Sequence, residues 1–209
     1  MLSADEIARA DRFVTGTLRS HFAVGRGLTR VILASYTGVA PAEIAFAYGP
    51  QGKPSLAHPE SRLRFNISHS HGVALFAVTI DRDVGVDVER VRPDISFEAI
   101  AEDFFSPEER DVLRAVPGPD KARAFFDCWT RKEAFIKARG EGLSFPLDAF
   151  DVSVHPDPPR LVATRPDRDE ASRWSLYDLE IGAPRFVGTI AVEGPGWTIR
   201  RFAWPADPD

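Results

Sequence analysis

Residues 120–140, DKARAFFDCWTRKEAFIKARG, place the heaviest demand on any fold this chain adopts. The pattern predicts one long helix that stops at Gly140, a residue that accepts the left-handed conformation at helix ends. Phe125, Phe126, Trp129, Phe135 and Ile136 take up much of the helix girth, so other elements must enclose it rather than leave it on a surface. Charged residues are threaded through that apolar girth. Trp129, Glu133 and Lys137 fall at i, i+4 and i+8, on roughly one face, with Lys132 and Arg139 flanking it. Charges on a mostly buried helix have to be paired or bound to something. The bare spacing is equally that of an exposed Glu133–Lys137 ion pair, worth about 0.2–0.5 kcal/mol.

Strand-like stretches are available to enclose the helix. Before it come IAFAY (44–48), RFNISHS (64–70), GVALFAVTI (72–80) and VGVDVERV (84–91); the last three, joined by tight connections such as Asp81-Arg82-Asp83, predict an antiparallel meander. After it, strands are expected near 150–155, 160–164, 173–180, 185–193 and 197–204. Ser3 and Glu6 form a capping-box pattern for a first helix over 3–15. A second helix is expected from Arg19 to Tyr36 with Phe22, Leu28, Ile32 and Leu33 inward, and a further one opens at Ser106-Pro107-Glu108-Glu109. Helices followed by strands thus occur twice. The pattern predicts an α+β protein of two halves, 1–104 and 105–209, forming one unit with any site in the cleft between them.

Several stretches carry residues suited to chemistry. In GVDVE (85–89) the valines alternate with Gly85, Asp87 and Glu89, so both carboxylates emerge on one face of a strand. That is the pattern of an ordinary solvent face and also of an oxygen-rich metal platform. In RFNISHSHG (64–72) the alternation sends Ser68 and Ser70 one way and His69 and His71 the other, offering donors to an anion at a strand end. A Ser–His hydrolase pair is disfavoured, because adjacent strand side chains diverge and no G-x-S-x-G elbow is present. The loop GPQGKPSL (49–56) carries Lys53 but lacks the P-loop spacing, and by itself reads as a turn. Arginines 9, 12, 19, 26 and 30 stud the first two helices, most of them expected in solvent.

Composition narrows the classes. The formal net charge of −5 argues against general nucleic-acid affinity, while leaving room for a local basic pocket. The single cysteine, Cys128, excludes an intrachain disulfide and a cysteine-based zinc cage. No apolar run approaches the length of a membrane span, and MLSADEIARADRF lacks the apolar core of a signal peptide, so a cytoplasmic protein without membrane attachment is expected.

Taken in order, GKPSL (52–56), FNISHS (65–70), GVDVE (85–89), FFSPEE (104–109) and WTRKEAFIKARGEGLSFPLDAF (129–150) resemble the 4′-phosphopantetheinyl transferases of the larger, Sfp type. The resemblance runs from about Arg9 to Val154. It implies that family's fold, with two similar α+β halves related by a pseudo-two-fold axis. It also implies a holo-[acyl-carrier-protein] synthase activity on an apo acyl, peptidyl or aryl carrier protein, with coenzyme A as co-substrate and Mg²⁺, or Mn²⁺ in its place. By resemblance, Asp87, Glu89 and Glu133 are the metal ligands, Glu133 and Lys137 are catalytic, and Ser68, His69 and Lys137 contact the coenzyme A phosphates. Lys53, Arg26 and Arg9 are expected at its 3′-phosphate end. A monomer is expected. Thr130 stands where the family usually has Ser or Cys, and the stretch before LSADE offers no counterpart of the short strand that usually precedes the first helix. Rival readings are a Mg²⁺-dependent phosphodiesterase or pyrophosphatase acting on coenzyme A-like nucleotides, and a non-catalytic carrier-binding module. A docking surface for the carrier is expected around FSPEER (105–110) and near Phe145 and Leu147.

Overall fold

The computed structural model describes residues 1–58, 61–165 and 167–204, and the chain forms two compact units, Met1–Leu63 and Arg64–Asp209. This division follows compactness; the halves 1–104 and 105–209 concern internal similarity, which compactness does not address.

In the first unit, α1 (Ala4–Ala10) is opened by the expected capping box, with Glu6 Oε2 accepting from the Ser3 amide at 2.9 Å. It ends well before residue 15, because Thr15 starts a new helix: its hydroxyl accepts from the Leu18 amide, and α2 runs Gly16–Thr37. Gly38, in the left-handed region at φ 71°, ends α2 where expected. Arg30, one of five arginines expected mostly in solvent, is 2% exposed. It donates to Glu6 Oε2 at 2.9 Å and to the Ile44 and Pro41 carbonyls at 2.6 and 3.0 Å, tying α1, α2 and the following connector together. The loop read as a simple turn closes a hairpin: β1 (Phe46–Tyr48) pairs antiparallel with β2 (Pro54–Leu56).

The second unit contains the strands and helices around the central segment. β3 (Leu63–Ser70) and β4 (Val73–Ile80) pair through the two-residue turn His71-Gly72. β5 (Val84–Arg90) does not continue that ladder. It pairs antiparallel with β9 (Phe186–Glu193), which also pairs with β8 (Trp174–Leu179), so the predicted meander is corrected to two sheets. Side chains take the place of a ladder on the free edge of β5. Asn66 Oδ1, Ser68 Oγ and Ser70 Oγ accept from the amides of Val86, Val88 and Arg90 at 2.9, 3.3 and 3.4 Å. Between β5 and β8 the chain adds α3 (Phe97–Phe104), α4 (Pro107–Ala115), α5 (Gly118–Arg139), and the pair β6 (Phe150–Val152) and β7 (Leu161–Thr164). Residues 197–204, expected as a strand, form none; the backbone leaves strand geometry at Gly194 and Gly196, φ 87° and 79°, and the Trp197 indole donates to the Glu193 and Gly194 carbonyls.

α5 fulfils the demand its sequence makes. Its aromatic face joins Phe97, Phe105, Phe150, Val187 and Ala191 in the larger core, while Val84, Val86, Ile190 and Val192 form a second core on the opposite side of the sheet. The threaded charges other than Glu133 are paired. Lys132, fully buried, contacts Glu109 Oε2 at 2.8 Å and donates to the Leu147 and Phe150 carbonyls at 2.7 and 2.8 Å. Arg131 holds Asp178 at 2.7 Å, and Asp127 accepts from Arg123 at 2.9 Å. Phe105 and Leu147 are 2% and 4% exposed, so neither can form the docking surface expected from sequence.

Candidate active site

The acids of β5 lie beneath α5 because of Gly85. A β-carbon at Gly85 would fall 2.1 Å from the Ala134 carbonyl oxygen and 2.3 Å from the Ala138 amide nitrogen. Only a residue without a side chain allows the helix backbone to approach the strand this closely. Gly85, Asp87 and Glu89 share one strand face by alternation. The helix that rests on Gly85 therefore carries Glu133 and Lys137 toward the two carboxylates.

Lys137 Nζ lies 2.6 Å from Asp87 Oδ1 and 3.2 Å from Ser68 Oγ. Ser68 donates to the same Asp87 oxygen at 2.8 Å. Ser70 donates to Glu89 Oε2 at 2.8 Å, and its Oγ is 3.0 Å from His71 Nδ1. Asp87 is 3% exposed and its other oxygen, Oδ2, is buried with no hydrogen-bond partner among the described residues. Glu133 makes no hydrogen bond or ion pair among the described residues. Burial pushes its carboxyl above the ordinary value; the Lys137 charge pulls it back, and the charges of Asp87 and Glu89 push it further up. Asp87 is raised by burial likewise, against the opposing pull of Lys137. The three acids thus share one local field.

This arrangement bears on a divalent cation. Among the described residues, no three His, Cys, Asp or Glu side chains stand together as a group that could hold a metal ion; the ammonium of Lys137 neutralises Asp87 instead. The donor chemistry nevertheless fits a hard cation: three mutually repelling carboxylates, one of them presenting a buried oxygen that nothing satisfies.

The structure brings together Ser68, Asp87 and Lys137 by direct contact, and adds Glu89 and Glu133 through their charges. His69 is exposed on the opposite side of β3 from the buried Ser68 and Ser70, as alternation predicts. His71 is exposed too, but the turn brings its ring back to Ser70 rather than to the opposite side. Arg9, Arg26 and Lys53 belong to the first unit. There, the Arg9 guanidinium lies 5.4 Å from the Phe22 ring centre, and Arg26 lies 4.8 Å from that of Phe46 with its Nε 3.4 Å from Glu6 Oε1. Lys53 sits in the hairpin turn, its carbonyl accepting from the Gly49 amide. Sequence reasoning passed over the structural share of Asn66 and Ser70. The signal was present: 66, 68 and 70 are polar at a spacing of two in a strand otherwise rich in apolar residues.

Residues 83–191 match the sequence model of the 4′-phosphopantetheinyl transferase superfamily, and residues 1–80 match that of the 4′-phosphopantetheinyl transferase N-terminal region. The chain is 41% identical over 198 residues to the 4′-phosphopantetheinyl transferase HetI of Nostoc sp., covering 94% of this chain and 80% of that protein. It is 36% identical over 160 residues to the 4′-phosphopantetheinyl transferase Sfp of Bacillus subtilis, covering 76% and 69% respectively.

Proposed function

This chain belongs to the 4′-phosphopantetheinyl transferase superfamily and is an enzyme of that class, and we propose that it moves the 4′-phosphopantetheine arm of coenzyme A onto a serine of an apo carrier protein. The carrier is an acyl, peptidyl or aryl carrier protein, and adenosine 3′,5′-bisphosphate leaves. We further assign it to the larger, Sfp type, built of two similar halves, 1–104 and 105–209, and acting as a monomer in the cytoplasm. The observation that carries this reading is the division of labour among the acids. Asp87 and Glu89 are each held by a serine hydroxyl, whereas Glu133 carries no hydrogen bond among the described residues.

Held acids suit cation binding, and the unengaged Glu133 leaves one carboxylate oxygen for the cation and the other for proton transfer. Asp87, Glu89 and Glu133 would hold Mg²⁺ or Mn²⁺, which when bound neutralises pyrophosphate charge. The carrier serine oxygen forms a bond to the β-phosphorus as the bond from that phosphorus to the bridging oxygen breaks. Glu133 takes the serine proton, and the bisphosphate leaves with the electron pair of the broken bond. Lys137, already at the acid face, offsets negative charge as it grows on the departing oxygen. Elsewhere the work is positioning. His69, exposed at the strand end, and Lys137 would contact the phosphates of coenzyme A. Ser68 would join them only by giving up its bond to Asp87, since its single proton is engaged there. Arg9, Arg26 and Lys53 are assigned to the 3′-phosphate end.

The test is incubation with coenzyme A, Mg²⁺ and a panel of apo-carriers of fatty-acid, polyketide and peptide type. A mass gain of one phosphopantetheine arm on at least one carrier is expected. Breakdown of coenzyme A at the same rate without any carrier would replace the reading with a hydrolase.

A further inference from the structure

Ser68 and Ser70 do the same work on successive acids of β5. Ser68 Oγ donates to Asp87 Oδ1 at 2.8 Å and accepts from the Val88 amide at 3.3 Å and from Lys137 Nζ at 3.2 Å. Ser70 Oγ donates to Glu89 Oε2 at 2.8 Å, accepts from the Arg90 amide at 3.4 Å, and meets His71 Nδ1 at 3.0 Å. A serine hydroxyl has one proton and two lone pairs. An ionised carboxylate can only accept, so the Ser70 proton points at Glu89. The contact with His71 then requires the ring to donate, which places a hydrogen on Nδ1. Each serine thus also meets a basic side chain, but Lys137 reaches Asp87 directly at 2.6 Å as well, whereas His71 meets Glu89 only through Ser70.

The backbone at His71 points the same way. His71 and Gly72 both have positive φ, 46° and 84°, in the two-residue turn between β3 and β4. Such turns favour Gly, Asn or Asp at the first position, and a histidine there, though better suited to positive φ than most side chains, is less favourable than these. The turn itself does not need an imidazole, and strain of this kind gathers at functional sites.

We infer that His71 is a positioning residue for Glu89, its Nδ1–H orienting Ser70 Oγ so that the Glu89 carboxylate is held on the acid face. The inference rests on the reading of Glu89 as a cation-binding acid of the transfer site, and it adds the residue that fixes it. His71→Gly is the informative variant, because glycine suits the positive φ while removing the donor. His71→Asn also suits that φ and returns an amide N–H of shorter reach.

Long-range ¹H–¹⁵N NMR on the metal-free protein reads which ring nitrogen carries the proton. Nδ1–H is expected in the wild type, and loss of that tautomer preference in Ser70→Ala. Calorimetric titration of Mg²⁺ in the presence of coenzyme A is then expected to show about tenfold or greater weakening in His71→Gly. His71→Asn should recover part of that loss, and the thermal midpoint of His71→Gly should equal or exceed the wild-type value. A wild-type ring protonated only on Nε2, or His71→Gly with unchanged Mg²⁺ affinity, overturns the inference. A wild type that binds Mg²⁺ with this His71 dependence yet transfers nothing to any carrier supports the positioning and overturns the transferase reading alone.

Discussion

Lys137 Nζ and Asp87 Oδ1, 2.6 Å apart, join α5 to β5 at the acid face, with the lysine side chain 28% exposed and the aspartate side chain 4%. The pair has a structural and a chemical share, and they can be separated. Lys137→Met leaves Asp87 buried without its cation and is expected to lower stability by about 1–3 kcal/mol. Adding Asp87→Asn should restore most of that loss, since the neutral amide no longer needs a counter-charge. Phosphopantetheine transfer should stay absent in both. Recovery of transfer with recovery of stability, read by urea melts and a carrier mass assay, would show that the pair is structural only.

Gly85 is expected to be the least replaceable residue of β5. Gly85→Ala forces a methyl against the Ala134 carbonyl and the Ala138 amide, both helix backbone, and no rotamer change can relieve it. A loss of about 3 kcal/mol or more is predicted by chemical denaturation, at the upper end of what overpacking costs. A loss below about 1 kcal/mol would mean that α5 can lift from the strand without penalty.

How far such features can be read from sequence depends on how local they are. The C-terminal ends of α2 and α5, the Ser106 cap and the common face of Asp87 and Glu89 rest on glycine stops, capping residues and alternation within a few positions, and the structure has them as read. The pairing of β5 with β9 joins residues about a hundred positions apart, and no local signal separates it from a hairpin with β4. Lys132 could be read as needing a partner, but not as having Glu109 and two carbonyls for partners. α3 went unread because an eight-residue amphipathic helix gives little periodicity. Of the candidate site, the residues were legible from motif and spacing. The side-chain ladder of Asn66, Ser68 and Ser70 against β5 emerged only once two strands were set side by side.

Asp127 should give the fold a measurable pH signature. Burial raises its carboxyl above the ordinary value of 3.8, despite the Arg123 guanidinium beside it. A raised folded value means that the native state binds this proton more tightly than the unfolded chain. The stability this contributes is complete below about pH 3.8 and is lost as pH rises through the folded value. Asp127→Asn keeps an acceptor and removes the titration. Its stability relative to wild type is therefore expected to improve between pH 3.5 and 7, measured by urea melts at both. An unchanged difference would contradict the shift.

Cys128 is fully buried, and burial, with Glu109 adding to it, pushes its thiol well above the ordinary range. The native protein is expected to resist a disulfide reagent at pH 8, and the unfolded chain to react promptly at its single thiol. Rapid native reaction would place this stretch of α5 at the surface.

Glu133 is the residue on which the account turns. Glu133→Gln preserves shape and should fold as wild type does, since no described residue relies on its charge for a hydrogen bond. The direct measurement is the mass of an apo-carrier after incubation with coenzyme A and Mg²⁺, for wild type and Glu133→Gln side by side. The account predicts a gain of one phosphopantetheine arm with wild type, at a rate reduced by about 10²-fold or more in the variant. Near-normal turnover by a folded Glu133→Gln would contradict it.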